Sequence, residues 1–510
     1  EDVSFSLSGR RSYVDLFLPA VLPEDTVNLS VAPKYYDYQG WLSWEVDDAH
    51  RLEWFVYGSN DRLEALFQED EPQGDANIQV TGLDVNNGFH RGQMRWEYRP
   101  EGGEFRNDAM VSFGGNQLGF EAAQDLFFKL EFLQMQIRDD LRWEINETVQ
   151  FNTGVDTQIG RADVKIRAPG FSGDNMSDPG AARDAQMPTV SETGYDVERN
   201  GEWIAQPAVY SELEVEPTDQ IRMIPGVRVD YFSDIDEFAF SPRFNTRWDI
   251  SEEVALKGGI GFFAQPPDPG QTDPDFGNPD LSYEKANQYS IGTEYRPVDF
   301  LEFDTTLFYR DLYDLVTTTN ATSFNQDTGS TEAQIYNNSG LGRAYGLEML
   351  IRHYPANKFF GWLAYTLSRS ERFNPATDSW DAFQYDQTHN LTLLAGYNLP
   401  WNVDISARFR LSSGNPRTPI VGSVWNADSD GYTPIYGEPN AERSPFFHQL
   451  DVRVDKQWVF NTWRLGVYLD VINAYNAKNE EGKRYNYDYS ESAPVTGLPI
   501  IPTLGVNGRF

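Results

Sequence analysis

The chain of 510 residues contains no cysteine, so disulfides and thiolate metal sites are excluded and the redox compartment is left open. It has no apolar run long enough to cross a membrane as a helix. Positive charge is scarce: 41 Lys and Arg stand against 78 Asp and Glu, a formal net charge of -37. Nucleic acid would be repelled by such a chain, so that class of partner is excluded. Histidine is scarce too, and His50, His90, His353, His389 and His448 show no helix-type metal spacing. No secretory leader follows Glu1, which leads us to expect a mature chain or a fragment.

What the sequence has in abundance is two-residue alternation. Val403, Ile405, Ala407, Phe409 and Leu411 alternate with Asp404, Ser406, Arg408, Arg410 and Ser412. Trp463, Leu465, Val467, Leu469 and Val471 do the same, as do Leu301, Phe303, Thr305, Leu307 and Tyr309. In an aqueous sandwich the apolar face would be core. In a membrane barrel it meets lipid, and the charged face lines a polar lumen. The missing apolar helix therefore does not exclude a membrane. Aromatics, at 14 %, are numerous enough for girdles at two interfaces.

Loop lengths separate the two architectures. Counting back from Phe510, 473–498 is long and 460–462 is tight; 413–446 is long and 399–402 short. The contrast continues through 369–385 and 354–358, 313–342 and 296–300, and 264–284 and 249–253. Only 233–237 is brief where a long loop is due. Long connections at one end and tight turns at the other predict an all-β, transmembrane antiparallel β-barrel with long extracellular loops and short periplasmic turns. Nearer the start, Tyr35 to Val46 and His50 to Ser59 predict a hairpin, followed by a long loop to Asn87. The stretch RSYVDLFLPAVLP from Arg11 reads equally as strand or short helix.

Several stretches resemble the barrel domain of TonB-dependent outer-membrane receptors. These are FFAQPPDPGQTDPDFGNPDLSYEKANQYSIGTEYR from Phe262, YNNSGLGRAYGLEMLIRH from Tyr336, and the segment from Phe383 to Pro416. YLDVINAYNAKN from Tyr468 is similar to the family's penultimate strand, and PIIPTLGVNGRF, ending on Phe510, to its last. The resemblance implies about 22 strands (20–22), a count within the range of large bacterial barrels. It also implies a Gram-negative outer membrane with its lipopolysaccharide, an unknown small ligand bound by the outer loops, and coupling to TonB through a plug. Residues 1–510 are expected to be barrel throughout, with plug and coupling segment outside this sequence, whether removed, supplied as a separate partner chain, or lost. A passive porin-like channel and a structural or secretion scaffold closed by a partner protein are the alternatives.

The loop 413–446 holds the best local motif. In NADSDGY, residues Asn426, Asp428 and Asp430, followed by Gly431, match the opening of a Ca²⁺ loop, in which alternate oxygens wrap a hard cation. The closing Glu438 falls one residue late, and such Asx-Gly strings also make plain turns. Trp425, Tyr432 and Tyr436 flank the motif and offer aromatic faces to a ligand at the barrel mouth. His389 with Asp386 and Asn390 suggests a hydrolase only weakly, because no Ser sits in a nucleophile elbow. The chain is not expected to be an enzyme.

Overall fold

A computed structural model describes the chain except for residues 1, 13–33, 67–81, 124–125, 173–188, 273–276, 319–321, 326–329, 334–335, 427–430 and 510. The stretch that read as strand or helix, most of the expected Ca²⁺ motif, and the terminal Phe510 therefore fall wholly or largely outside the described residues. Among the described residues the antiparallel sheet counts 21 strands, inside the expected range, and the remaining strands form small two-stranded ladders. Among the described residues there is no helix.

The chain divides into two units. The first comprises residues 1–174, 185–215 and 225–241. Its strands Val3–Arg11, Lys34–Glu45, His50–Leu66, Gly82–Tyr98, Phe105–Ala123, Leu126–Asn146, Val149–Ser172 and Thr189–Thr218 pair with their neighbours in chain order. The turn at 46–49 is closed by the Asp47 side chain, whose Oδ1 accepts from the backbone N–H of Ala49 and of His50. One expectation is corrected here. The ladder between the third and fourth strands runs out to Leu66 and Gly82, so the connection is shorter than a loop reaching Asn87. Asn60, Asp61, Asn86 and Asn87 look like loop residues in sequence, but they lie within the ladder of a long strand pair, where Asn60 donates to Asn86 at 3.0 Å.

The second unit comprises residues 175–184, 216–224 and 242–510. Here Val254–Gln265, Glu284–Val298, Leu301–Thr318, Tyr336–Ala356, Phe359–Asn374, His389–Leu399, Val403–Ser412, Phe447–Val459, Arg464–Ile472 and Ile501–Arg509 pair successively. The tight turns are built for hairpins. Asn357 and Lys358 have φ of 50° and 67°, and Trp401 and Asn402 have 64° and 57°. Paired left-handed residues match the right-handed twist of the strands they join.

Burial rules out an aqueous core. Among the described residues, buried aliphatic and aromatic side chains are few and include Ala208, Phe232, Ala239, Ala255 and Leu281. By contrast, Ile291 is 63 % exposed, Leu307 55 %, Phe113 56 % and Val56 51 %, all on the apolar face of their strands. A folded protein in water rarely leaves so large a contiguous apolar surface uncovered, whereas lipid covers it without cost.

The opposite faces are polar and ion-paired in both units, as where buried Glu97 gathers Arg95 and Arg99, and the first adds aromatic rings. In the first, Trp41 lies across from Phe55 and Phe55 across from Gln93, and with Glu53 and Arg95 they line a cavity of about 230 Å³. Phe55 stacks on Tyr57 at 4.7 Å, and Tyr57 meets Phe89 edge-on at 5.9 Å. In the second, Lys257 bridges Asp304 at 2.5 Å and Glu294 at 3.7 Å, and Arg247 reaches Glu294 at 2.9 Å. Glu302, only 5 % exposed, accepts from Arg296 at 3.0 Å and from the Tyr354 hydroxyl at 2.7 Å, with Arg352 at 3.7 Å. Arg408–Asp451 and Arg453–Asp455 continue the same chemistry.

Candidate functional site

The candidate site is built on the long connections of the second unit. Two small hairpins rise from them: Ile420–Asn426 with Gly431–Tyr436, and Glu480–Tyr485 with Ser492–Thr496. In the first, Trp425 pairs with Tyr432, and their rings meet edge-on at 5.1 Å. Tyr487, at the tip of the second, approaches Tyr432 edge-on at 5.8 Å and is 79 % exposed. The hairpins are joined where the Ser423 hydroxyl donates to the Asp488 carbonyl at 2.5 Å. Three aromatic rings thus converge at an exposed point, edges and faces open to a ligand.

Polar ties hold this cluster on the sheet. Arg417 reaches Glu442 at 3.2 Å and Glu480 at 2.9 Å, bridging the two connections. Asn440 donates to the Ala382 carbonyl at 2.9 Å. Asp386, 1 % exposed, accepts from the Ser370 N–H at 2.6 Å and is paired with Arg443. Asn479 caps both backbone groups of His448 at 3.0 Å. Asn473, also 1 % exposed and at φ 53°, closes the start of the last long connection by bonding Ala477 and Leu498. The Asp488 carboxyl is held below the usual carboxylate range, first by the Ser490 hydroxyl and then by the Ser490 N–H.

Of the residues picked out in sequence, Trp425 and Tyr432 are brought together. Tyr436 pairs with Ile420 four residues along the same strand, about 13 Å away at 3.3 Å per residue. Asn426 lies at the hairpin tip opposite Gly431, while Asp428 and Asp430 lie outside the described residues. Among the described residues, no group of three or more His, Asp or Glu is placed to hold a metal. His389 takes no part in a catalytic arrangement. Its Nδ1 bonds the Tyr365 hydroxyl at 2.8 Å, and its ring stacks on Phe446, while Asp386 is committed to Arg443. Tyr487 was missed. The two-residue spacing of Tyr485, Tyr487 and Tyr489 was its only signal.

Comparison with known proteins supplies the context. No curated protein matches the chain in sequence. Solved structures do match in fold. The Escherichia coli outer membrane transporter YddB has a TM-score of 0.68 at 11 % identity, covering 99 % of this chain and 72 % of its own. A ferric enterobactin receptor mutant of Pseudomonas aeruginosa has a TM-score of 0.67 at 14 % identity, covering 100 % and 77 %. The ferripyoverdine receptor of the same organism has a TM-score of 0.66 at 12 % identity, covering 93 % and 65 %, so the chain spans less than two thirds of it. The sequence model described as TonB dependent receptor-like, beta-barrel matches residues 18–474. With its alternating strands and lipid-ready apolar face, the chain belongs to the TonB-dependent receptor β-barrel family, which makes it an outer-membrane transporter barrel and not an enzyme.

Proposed function

We propose that this barrel is a receptor that captures a small ligand on Trp425, Tyr432 and Tyr487, with Tyr436 extending the surface, and imports it. Passage is coupled to a TonB-type partner through a plug outside these 510 residues, and lipopolysaccharide is the surrounding outer leaflet. The observation that carries the reading is the convergence of three rings at 5.1 and 5.8 Å on hairpins tied to the sheet. The net charge of -37 disfavours strongly anionic cargo. A metal chelate of neutral or positive charge fits the aromatic faces, and similar folds include a copper transporter as well as ferric siderophore receptors.

Calorimetric titration with ferric siderophores, neutral oligosaccharides and cationic peptides tests the capture step. Trp425→Ala is expected to weaken binding of the recognised class about tenfold, a loss of about 1.4 kcal/mol typical of one aromatic anchor. Equal affinity for wild type and variant would refute the site. Conductance tests the transport step, because a porin-like channel gives steady large openings and a plugged receptor stays nearly silent.

A further inference from the structure

The apolar face of strands Tyr336–Ala356 and Phe359–Asn374 carries Tyr345, Leu347, Met349 and Ile351 beside Leu363, Tyr365 and Leu367. Continuing by two-residue steps toward the long-loop end, that same lipid-side face presents Arg343, Arg369 and Glu371. Arg343 lies thirteen residues from the tight turn after Ala356. At about 3.3 Å per residue and a tilt of about 40°, that is on the order of 30 Å of height, just beyond an apolar band of about 25 Å.

Charges on this side of a barrel need a reason. Glu371 is almost fully covered, with 7 % of its side chain exposed, and it accepts from the Nε of Arg343 at 2.6 Å and of Arg369 at 3.0 Å. One carboxylate thereby fixes two guanidiniums, each through its inner nitrogen. Among the described residues the terminal nitrogens of neither arginine form a hydrogen bond, although the Asp386 carboxylate also attracts Arg369, and the two side chains remain 32 % and 42 % exposed. Trp380 supports the Arg343 plane at 4.2 Å and Tyr345 at 5.9 Å. Asp311, across the neighbouring ladder from Arg343, forms no ion pair with it.

We propose that Arg343 and Arg369, positioned by Glu371, bind the phosphate of an outer-leaflet lipid whose acyl chains cover the apolar residues below. Two oriented forks with free terminal N–H groups match a tetrahedral oxyanion. The proposal rests on the outer-membrane placement of the barrel. The headgroup is favoured over free phosphate because the site continues the lipid-covered face.

The test uses the full chain purified from outer membranes, with lipid phosphate retained per chain after detergent exchange as the readout. Thermal midpoints are taken with added lipopolysaccharide, with the same lipid stripped of phosphate, and with inorganic phosphate. Combining Arg343→Gln with Arg369→Gln is expected to lower retention about tenfold, as for loss of charge-assisted forks. Glu371→Gln adds net positive charge yet is expected to lower retention, because it releases both guanidiniums. Wild-type retention in the double variant, or a rise with Glu371→Gln, would overturn the proposal. Equal stabilisation by inorganic phosphate would overturn the assignment to lipid. Mobility of unboiled samples on gels reports folding. If the Gln pair fails to fold, Arg343→Lys with Arg369→Lys keeps the charges but loses the forks, and unchanged retention there is equally fatal. If wild type fractionates away from the outer membrane, the placement itself falls, and the phosphate site with it.

Discussion

The polar faces of both units carry buried ionic networks, and the first adds an aromatic patch to its own. In the first, strands Lys34–Glu45, His50–Leu66 and Gly82–Tyr98 present Trp41, Phe55, Tyr57 and Phe89 with Gln93 among them. In the second, the corresponding surface is a lattice of charge, with Lys257, Arg247, Glu294 and Asp304 sharing bonds and Glu302 gathering Arg296, Arg352 and Tyr354. The charged lattice satisfies its own donors and acceptors, so it stiffens the wall and leaves little to offer a ligand. The aromatic patch has unspent faces. A wall can be rigid or receptive, and the first unit sets the two side by side, since buried Glu97 gathers Arg95 at 2.8 Å and Arg99 at 3.2 Å next to the aromatic patch.

The strongest challenge to that contrast is Glu302→Ala. It strips a buried carboxylate from two arginines and a tyrosine, and it is expected to cost about 3 kcal/mol, the range for breaking a buried ionic network. Denaturant unfolding in lipid vesicles measures it, and a loss near zero would mean the lattice is not structural. Lys257→Met leaves Asp304 without its partner while Glu294 keeps Arg247, so a smaller loss of about 1–2 kcal/mol is expected for this partly exposed group. Phe55→Ala, on the receptive wall, should cost less than about 1 kcal/mol, because one side of the ring already faces a cavity. A cost rivalling that of Glu302→Ala would erase the distinction.

The smallest effect belongs to the loops. The Asp488 carboxyl is lowered by Ser490, so the stability it lends is present above the ordinary carboxylate value of about 3.9 and is lost as pH falls through the lowered value. Hydrogen exchange at the Ser490 N–H should therefore quicken only in strong acid. Quickening already near neutrality would show that the bond is not formed.

Much of the barrel was legible because alternation and loop length are local properties. Val403 to Leu411 alternates in sequence and forms the strand Val403–Ser412. The tight turns were equally plain, since Asn357 and Asn402 tolerate positive φ. The loop hairpins were hidden, because Pro434 and the glycines around it read as loop although they sit in a ladder. The ties holding the site are non-local. Arg417 meets Glu442 and Glu480 across 25 and 63 residues, distances that carry no periodic signal. Trp425 and Tyr432 were visible as neighbours in sequence, but Tyr487 joins them only through the fold.

That bridging by Arg417 bears on how the cell surface is recognised from outside. An antibody or phage protein raised against the hairpin 420–436 would meet Tyr487 in the same footprint, so its epitope is discontinuous. It should bind intact cells and fail on denaturing blots, and escape should arise by substitutions around Tyr487 as readily as in the hairpin itself.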